Sequence, residues 1–382
     1  MPPLVIDVSA ADDRNDIVHR AVQALAEGKL VVFPTETVYV VAANAQHPTA
    51  VARLSEIRRA TSDQPLTLAI RSAAEAQDYV PEIPKLGIRI ARRCWPGPVI
   101  LDLKDEHPES IVRRLPPEVQ PAFSPAGRLR LRVPAHPLLN AVQRLVSGPI
   151  AIAAAYAGET AEATTAQDAL AHMSNQVDIV LDDGRCRFGQ PCSVVKIAPT
   201  AITISRVGVI SESHLRRLAS WMAVIVCTGN TCRSPMGEVL LRKRLAERLG
   251  IGFEALDERG IIVMSAGLAA GAGGRAAEEA QATMQEHGLD LSDHETQPLT
   301  DRLVRFADLI LTMTRGHRDA ILSQWPEATG RTFLVSDERG DVSDPIGSSQ
   351  EQYRRCANQI DHFLADWVAK LDANDLLGEF LG

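Results

Sequence analysis

Short apolar blocks separated by polar loops run through the first half of the chain, a pattern typical of an α/β domain. Apolar residues recur at helical spacing from Ile17 to Leu25 and predict an amphipathic helix. The apolar run Leu30–Phe33 predicts a buried strand that ends at the polar loop Pro34–Thr37. Further strands are predicted at 66–70, 99–103, 150–154, 178–181, 193–197 and 202–206. We therefore expect an α/β domain over residues 1–210.

A second α/β pattern begins at Met222, after a connector at 211–221 that is expected to be helical or extended. The apolar run Ala223–Val226 predicts a short buried strand, and the polar loop Cys227–Ser234 separates it from the next helix. Later strands are predicted at 261–264, 308–312 and 332–335. One long helix follows, with an apolar stripe formed by Tyr353, Cys356, Ile360, Phe363, Leu364, Trp367 and Leu371. The second domain is expected to cover residues 222–382.

The composition limits the classes of function. The chain has 382 residues, more than one hydrophobic core usually organises, and a formal net charge of -8. This charge gives no overall attraction to nucleic acid or anionic membranes, and aromatic residues, at 4%, are too few for a broad base-stacking surface. No apolar run predicts a membrane span or a signal peptide. The six sparse cysteines indicate neither a disulfide scaffold nor a zinc site, so we expect no metal and a cytoplasmic location.

The loop Cys227–Ser234 carries the clearest chemistry in the sequence. A loop between a strand and a helix N-terminus points backbone N–H groups inward, and the helix dipole adds partial positive charge, so it can hold a phosphate dianion. The same field favours a thiolate at Cys227, the expected nucleophile. Arg233 can hold two phosphate oxygens with its planar guanidinium group, and Ser234 can donate a hydrogen bond to the leaving thiolate. The pattern predicts a phosphatase that forms a phosphocysteine intermediate, against the alternative of a chance spacing around a core thiol.

The remaining loop residues are expected to shape the phosphate site. Gly229 gives the turn its backbone freedom, and Asn230 tolerates a left-handed backbone and can brace the loop. Cys232 can form a reversible disulfide with Cys227 that protects the nucleophile, or it can pack inward, and both alternatives stay open. The expected phosphate-binding loop comprises Thr228, Gly229, Asn230, Thr231, Cys232 and Ser234. Cys356 is expected to lie in the core.

A phosphatase of this kind also needs a general acid to protonate the leaving group. Residues 338–349 form a polar stretch with proline and glycine, as a mobile segment near the loop should. Asp341 and Asp344 are both candidates on these grounds, and the alternative is that both lie in a solvated turn.

Residues 223–370 resemble the low-molecular-weight protein tyrosine phosphatases. The loop matches that family's pattern through Pro235, and further matches are Ser265-Ala266-Gly267, the run 308–313 and Asp344-Pro345. The resemblance implies a small parallel sheet with helices on both faces. It also implies that Asp344 is the general acid and then the base for the attacking water, and that Ser265 braces Asn230.

Three features are similar to the bacterial protein-arginine-phosphatase branch of that family. Tyrosine-directed members carry an aliphatic residue where this chain has Thr231, and aromatic residues just after the Asp-Pro pair, where this chain has Ile346 and Gly347. The run Met313–His317 also looks less like the tyrosine enzymes. A hydroxyl and a nearby carboxylate suit the polar N–H groups of phosphoarginine. The resemblance therefore implies phosphorylated protein side chains as substrates, phosphoarginine first and phosphotyrosine second, with no cofactor.

Residues 15–210 resemble the YrdC-type domain of threonylcarbamoyl-AMP synthases, which make the activated carbamate for a tRNA modification from ATP, threonine and bicarbonate. The matching stretches are 33–39, 95–98, 132–137, Thr164-Thr165 and 204–208. The resemblance implies a twisted α/β sheet around a concave, positively lined cavity. The candidates to bind a ligand there are Thr35, Thr37, Arg58, Arg132, Ser193 and Arg206.

Several positions depart from the motifs of those synthases. The family's Lys-x-Arg pair falls on Arg58 and Ala60, and a later lysine falls on Gln64. Its Ser-Ala-Asn segment falls on 154–156, where Tyr156 adds bulk in place of an amide. Its Ser-Thr-Val segment falls on Cys192-Ser193-Val194, and the glycine after Val38-Tyr39 is replaced by Val40.

These changes remove cations and hydroxyls that would meet a triphosphate and a carboxylate, so a diverged ligand-binding domain is expected. Two alternatives stay open for it. One is an active synthase that uses ATP and Mg²⁺ with threonine and bicarbonate. The other is a non-catalytic nucleotide- or RNA-binding module that regulates the phosphatase. Basic clusters at 89–93, 128–132 and 216–217 are possible RNA contacts, or else a solvated helix face or a cavity lining.

Overall fold

A computed structural model describes residues 2–59, 64–156 and 162–371 of the chain and divides it into two units. The first unit extends to Leu218, and the second begins at Ala219. Most of the predicted connector is the helix Glu212–Ala219. The strand that follows begins at Trp221, two residues before the predicted Ala223.

The described strands of the first unit belong to one mixed sheet. In chain order they are β1 Leu4–Asp7, β2 Val31–Phe33, β3 Val40–Asn44, β4 Thr67–Ala69, β5 Val99–Lys104, β6 Arg128–Arg132, β7 Ile150–Ala154, β8 Ile179–Asp182, β9 Ser193–Ile197 and β10 Ile202–Arg206. Their order across the sheet is β1-β8-β2-β3-β7-β4-β6-β5-β9-β10. The sequence patterns did not predict β1, β3 or β6. Arginine and leucine alternate along β6, a pattern that indicates a basic cluster and, at Arg132, a ligand contact, but not a strand.

The helices of the first unit cover the sheet and bury its central strands. They are α1 Arg14–Ala26, α2 Pro48–Arg59, α3 Ala76–Tyr79, α4 Lys85–Cys94, α5 Gln120–Phe123, α6 Pro137–Leu145, α7 Ala166–Met173 and α8 Glu212–Ala219, with a 3-10 turn at Ile111–Arg114. Strand β2 is buried along its whole length. This burial explains its uninterrupted apolar run, because a strand covered on both faces needs no polar side.

The second unit is built on a parallel sheet of four described strands. They are β11 Trp221–Cys227, β12 Ile261–Gly267, β13 Leu309–Thr312 and β14 Thr332–Leu334, in the order β12-β11-β13-β14. Its helices are α9 Arg233–Leu249, α10 Ala255–Glu258, α11 Glu278–Glu286, α12 Asp301–Phe306, α13 Arg315–Gln324 and α14 Gln350–Lys370, with a 3-10 turn at Pro326–Arg331.

Side chains of β11 alternate between two hydrophobic cores, one on each face of this sheet. Ala223 and Ile225 lie in one core with residues of α9, α11 and α14. Val224 and Val226 lie in the other core with residues of α12 and α13. Because helices cover both faces, this unit is the doubly covered parallel sheet that the sequence predicted.

No described helix combines the length and the apolar character that a membrane crossing requires. Among residues 2–59, 64–156 and 162–371, no group of three or more histidine, cysteine or acidic side chains is arranged to hold a metal ion.

Candidate functional site

The loop Cys227–Ser234 lies at the carboxyl end of the central strand of the second unit. Cys227 is the last residue of β11, and α9 begins at Arg233. Strand β11 has β12 on one side and β13 on the other. Connections from a parallel sheet diverge at such a point and leave a crevice, where ligands commonly bind. The N–H groups in the first turn of α9 have no partner within the helix and are available to an anion.

Polar groups of the loop surround the Cys227 thiol, which is 3% exposed. Its Sγ lies 3.0 Å from Ser234 Oγ, and the backbone N–H of Asn230 donates to it over 3.3 Å. Both contacts favour a negatively charged sulfur, because each group can donate a hydrogen bond to it. The arrangement therefore suits a thiolate nucleophile.

Asn230 holds the loop in shape from a left-handed backbone conformation, with φ at 57°. Its Nδ2 donates to Ser234 Oγ over 3.0 Å and to Ser265 Oγ over 2.9 Å. Its Oδ1 accepts from the backbone N–H of Gln297 over 2.9 Å. The fully buried Asn230 side chain is thereby satisfied, and its hydrogen bonds tie the loop to β12.

Gly267, at the end of β12, lets the loop approach the sheet closely. A Cβ atom there would lie 2.5 Å from the Thr228 carbonyl oxygen and 2.9 Å from the Asn230 nitrogen. Both atoms belong to the backbone and cannot move aside without reshaping the loop. The glycine of the Ser265-Ala266-Gly267 match is therefore a steric requirement of the phosphate loop.

The Arg233 guanidinium group is buried beside the loop, with 4% of the residue exposed. Its Nη1 donates to the Val342 carbonyl oxygen over 3.1 Å, and its Nη2 forms an ion pair with Asp344. Its Nε is buried without a hydrogen-bond partner among the described residues. Since an unsatisfied buried donor is costly, this orphaned N–H points to a ligand with oxygen acceptors.

The structure separates the two aspartates that the sequence left as rival general acids. Asp344 lies beside Arg233, and 41% of its side chain is exposed. Asp341 instead accepts a hydrogen bond from the backbone N–H of Arg315 over 2.9 Å, at the first residue of α13. Only Asp344 is therefore both next to the loop and open to solvent.

Three titratable residues at the site had no role predicted from the sequence. Ser265 Oγ donates to Glu238 Oε2 over 2.6 Å, and burial raises the pKa of the Glu238 carboxyl. His294 Nε2 donates to the Asn230 carbonyl oxygen over 2.9 Å. His317 Nε2 lies 2.9 Å from Thr228 Oγ1, and burial, followed by the nearby Arg233 charge, lowers its pKa. Glu238 lies three residues beyond the matched Pro235, and His317 ends the run Met313–His317, which was the available signal.

The other cysteines of this unit are free in the structure. The Cys232 thiol is buried 3.3 Å from the Tyr353 hydroxyl. In this conformation Cys232 packs inward, which was one of its two expected arrangements. Cys356 lies on the buried face of α14, and burial raises the pKa of its thiol to about 12.

The first unit contains a separate cavity of about 310 Å³. Arginines dominate its polar lining, which comprises Arg58, Arg130, Arg132 and Arg206 with Gln64, Thr67, Tyr156, Glu162 and Ser205. The basic strand β6 therefore contributes to a cavity lining, one of the alternatives that its sequence left open. In the cluster at 89–93, Arg93 Nη1 donates to the Leu218 carbonyl oxygen over 2.8 Å.

Only some of the predicted ligand residues line this cavity. Arg58, Arg132 and Arg206 do, whereas Thr35, Thr37 and Ser193 do not. Ser193 Oγ donates to the Ile210 carbonyl oxygen over 2.8 Å and accepts from the Gly208 and Ile210 N–H groups. Its hydroxyl is thus fully used by the backbone.

Arg132 connects the two threonines to the cavity. Its Nη2 forms a buried ion pair with Glu36 at 2.9 Å and donates to Thr37 Oγ1 over 3.0 Å. Thr35 Oγ1 lies 2.9 Å from Thr37 Oγ1. Arg132 Nε has no hydrogen-bond partner among the described residues. Ala60, where the family arginine is lost, lies outside the described residues.

The positions that depart from the synthase motifs interact with the arginines of the cavity. Gln64 Oε1 accepts a hydrogen bond from Arg130 Nη2. Burial lowers the pKa of Arg58, while a hydrogen bond and a charge interaction with Tyr156 act in the opposite direction. Gln64 and Tyr156 therefore interact with guanidinium groups that a ligand in the cavity would otherwise contact.

Comparisons with known proteins divide the chain in the same way. Residues 223–376 match the family model for low molecular weight phosphotyrosine protein phosphatases, and residues 23–208 match the Sua5/YciO/YrdC model, described as telomere recombination. The chain is 35% identical over 151 residues to a probable low-molecular-weight protein-tyrosine-phosphatase of Ralstonia nicotianae, covering 39% of this chain and 95% of the relative.

Two other relatives represent the remaining similarities. A protein-arginine-phosphatase of Bacillus subtilis is 36% identical over 152 residues, covering 39% of this chain and 95% of the relative. A threonylcarbamoyl-AMP synthase of Pyrococcus abyssi is 32% identical over 196 residues, covering 51% of this chain and 54% of the relative. The chain thus spans about half the length of that synthase.

Proposed function

This chain belongs to the low-molecular-weight protein phosphatase family through residues 223–376, and it carries a Sua5/YrdC-type domain over residues 23–208. We propose that it removes phosphoryl groups from arginine side chains of cytoplasmic proteins. Phosphotyrosine is the second substrate. The observation that carries the phosphatase assignment is the buried Arg233 Nε, unpartnered among the described residues, beside the Cys227 loop.

The proposed reaction has two steps. The Cys227 thiolate attacks phosphorus, a P–S bond forms, and the bond from phosphorus to the leaving nitrogen or oxygen breaks. Asp344 gives its proton to the leaving atom, while Arg233 and the loop N–H groups hold the equatorial oxygens. Asp344 then accepts a proton from the water that attacks the phosphocysteine. Ser234 donates a hydrogen bond to the thiolate as it leaves.

The preference for phosphoarginine rests on the entrance to the site. Residues 341–348 contain no aromatic side chain, and Ile346, which follows the Asp344-Pro345 pair, is 66% exposed. An aromatic clamp for a phenyl ring is therefore missing from this segment. Thr231 adds a hydroxyl to the loop and suits polar N–H groups. Sequence identity does not separate the substrates, because the tyrosine and arginine phosphatases match at 35% and 36%.

A matched pair of phosphopeptides tests this preference. Two peptides of the same sequence carry phosphoarginine or phosphotyrosine at one position, and kcat/KM is measured for each. We expect the phosphoarginine peptide to be faster by about tenfold, and Thr231→Ile to narrow the ratio, since one lost polar contact is worth about 1–3 kcal/mol. Faster turnover of the phosphotyrosine peptide by the unmodified chain would reverse the assignment.

For the first unit we propose a diverged domain that binds a small anionic ligand. The arginine-lined cavity supports an anion, but its volume of about 310 Å³ is at the lower end for ligand sites. Tyr156 and Gln64 interact with Arg58 and Arg130, so the residues do not fit a triphosphate together with threonine.

Measurements of nucleotide binding and turnover distinguish the three hypotheses for this domain: a diverged anion-binding domain, an active synthase and a nucleotide-binding regulatory module. Calorimetric titration with ATP and Mg²⁺ reports binding, and pyrophosphate release in the presence of threonine and bicarbonate reports synthase activity for tRNA modification. We expect no pyrophosphate release. Release that depends on both threonine and bicarbonate would establish the synthase instead, and ATP binding without turnover would support a nucleotide-binding module that regulates the phosphatase.

A further inference from the structure

A second cavity of the phosphatase unit lies apart from the phosphate loop. It has a volume of about 670 Å³, and none of residues 227–234 lines it. Val239, Leu289, Leu291 and Phe253 give it an apolar wall, while its charged lining includes Glu238, Glu254, Asp290 and Asp293. The proposed phosphatase mechanism uses none of these residues.

Of the two basic side chains in this cavity, Arg242 has a carboxylate partner and Lys243 contacts a backbone carbonyl oxygen. Arg242 donates to both carboxylate oxygens of Asp257, at 3.3 and 3.4 Å, and its guanidinium lies over the Phe253 ring. Lys243 Nζ donates to the His287 carbonyl oxygen over 3.5 Å. Glu254 and Asp293 are exposed and form no ion pair with any residue of the described ranges. The cavity therefore presents unpaired negative charge beside an apolar wall.

Hydrogen bonds connect the floor of this cavity to the nucleophile. Glu238 Oε2 accepts from Ser265 Oγ over 2.6 Å, and Ser265 Oγ accepts from Asn230 Nδ2 over 2.9 Å. The Asn230 N–H then donates to Cys227 Sγ over 3.3 Å. A second cavity residue, His294, donates from Nε2 to the Asn230 carbonyl oxygen over 2.9 Å. Two cavity side chains thus contact the residues that shape the phosphate loop.

We propose that this cavity is a regulatory site for a small organic cation, an amine or guanidinium compound with an alkyl chain. The cationic group pairs with Glu254 and Asp293, and the alkyl chain packs on Phe253 and Leu289. The ligand site follows from the cavity itself, while the regulatory consequence rests on the proposed phosphatase function.

The physical link is the ionisation of Glu238. Burial raises the pKa of this carboxyl, so its proton is held more readily than in water. An ionised Glu238 can only accept, which fixes the Ser265 hydroxyl as donor to it and leaves the Ser265 oxygen to accept from Asn230. A protonated Glu238 can donate to the Ser265 oxygen instead, and the Ser265 hydroxyl then loses its acceptor, because Asn230 Nδ2 can only donate. A cation nearby favours the ionised form and hence the loop shape described above.

Agmatine, which carries a guanidinium and an amine on an alkyl chain, is a suitable probe. Its binding to the full chain is measured by calorimetry, and kcat/KM for para-nitrophenyl phosphate is measured with and without it at matched ionic strength. We expect saturable binding and a rise in kcat/KM of about fivefold, the lower end of typical coupling between two sites. The double variant Glu254→Gln, Asp293→Asn should lose both effects, each relative to its own basal rate. The remote Glu327→Gln variant should keep both.

The two readouts keep the two proposals apart. Binding that the double variant abolishes supports the cation site even if the chain hydrolyses nothing, and such inactivity would count against the proposed function alone. Absence of binding, or equal binding by the double variant, overturns the site. Binding that leaves kcat/KM of an active enzyme unchanged overturns the regulation.

Discussion

The two units satisfy the polar groups of their candidate sites in different ways. Around Cys227, the hydrogen bonds of Asn230 stabilise the conformation of the loop, and Arg233 keeps a buried Nε that has no hydrogen-bond partner among the described residues. In the first unit, Ser193 bonds to the backbone, and Arg58 and Arg130 interact with Tyr156 and Gln64. The first unit keeps an orphaned donor as well, on Arg132.

Both units keep an orphaned arginine donor, so the difference between the sites is that Tyr156 and Gln64 interact with Arg58 and Arg130. A preorganised binding site holds hydrogen-bond donors without protein partners where the ligand will bind. Leaving such donors unsatisfied lowers the stability of the free protein, and other interactions must offset that loss. The phosphate loop retains this feature at Arg233. In the arginine-lined cavity, replacements at Gln64 and Tyr156 interact with two of the cationic groups, so the fold persists while the original ligand contacts are reduced.

The largest effect is expected from replacing the nucleophile of the second unit, compared with replacing a buried cysteine of the first unit. Cys227→Ser should lower kcat for para-nitrophenyl phosphate by about 10⁴-fold or more, because it removes the nucleophile while leaving the phosphate-binding groups in place. Phosphate binding, measured by calorimetry, should persist. The matched variant Cys186→Ala changes a buried cysteine of the first unit and should keep the hydrolysis rate. Equal loss in both variants would contradict the assignment of catalysis to the loop.

A second test concerns Asp344 and Asp341, the two candidates for the general acid. Asp344→Asn should lower kcat by about 10²–10⁴-fold, because the leaving group loses its proton donor. The loss should be greater with phenyl phosphate than with para-nitrophenyl phosphate, whose leaving group needs less protonation. Asp341→Asn is the control, since its carboxylate contacts the backbone of Arg315, and it should retain most activity. A larger loss of kcat in Asp341→Asn than in Asp344→Asn would make Asp341 the general acid.

Two glycines, one in each unit, allow a comparison of substitutions that both clash with backbone atoms. Gly267→Ala places a Cβ 2.5 Å from the Thr228 oxygen, and Gly208→Ala places one 2.1 Å from the Pro191 oxygen. We expect Gly267→Ala to lower kcat/KM by about 100-fold through displacement of the loop. Gly208→Ala should lower the melting temperature of the first unit and leave hydrolysis intact. Normal phosphatase activity in Gly267→Ala would show that the loop tolerates movement.

The smallest effects are expected at two serines. Ser265→Ala leaves Glu238 and one Asn230 amide proton without a partner, and Ser193→Ala leaves the 208–210 backbone unsatisfied. Each should lower the free energy of unfolding of its own unit by about 1–3 kcal/mol, measured by urea denaturation. Only Ser265→Ala should also lower kcat/KM. A loss of phosphatase activity in Ser193→Ala would mean that the units are functionally coupled.

Local patterns were sufficient to predict several elements of the fold. Strands at 150–154, 193–197 and 202–206 have the predicted bounds, because a proline or glycine lies within two residues of at least one end of each run. Strand β6 escaped prediction, since its arginines suggest an exposed surface. Only the folded sheet places Asp102 beside Arg128 and Arg130, and Glu36 beside Arg132.

In the candidate sites too, contacts between segments that are distant in sequence could not be predicted from local patterns. The Cys227 loop is continuous in sequence, so its residues could be named from spacing and from the family resemblance. The link from Glu238 through Ser265 to Asn230 joins three separate segments, and no local pattern contains it. For the first unit, the sequence identified the arginines of the cavity. It could not show that the Ser193 hydroxyl is bonded to the backbone, because that depends on the path of residues 208–210.

The alternation of β11 between two cores also bears on how the nucleophile moves. Cys227 ends a strand that is buried along its whole length and paired on both sides. Amide hydrogens of such a central strand exchange with solvent only when a whole cooperative unit opens. The base of the phosphate loop should therefore open only when the folded unit itself opens.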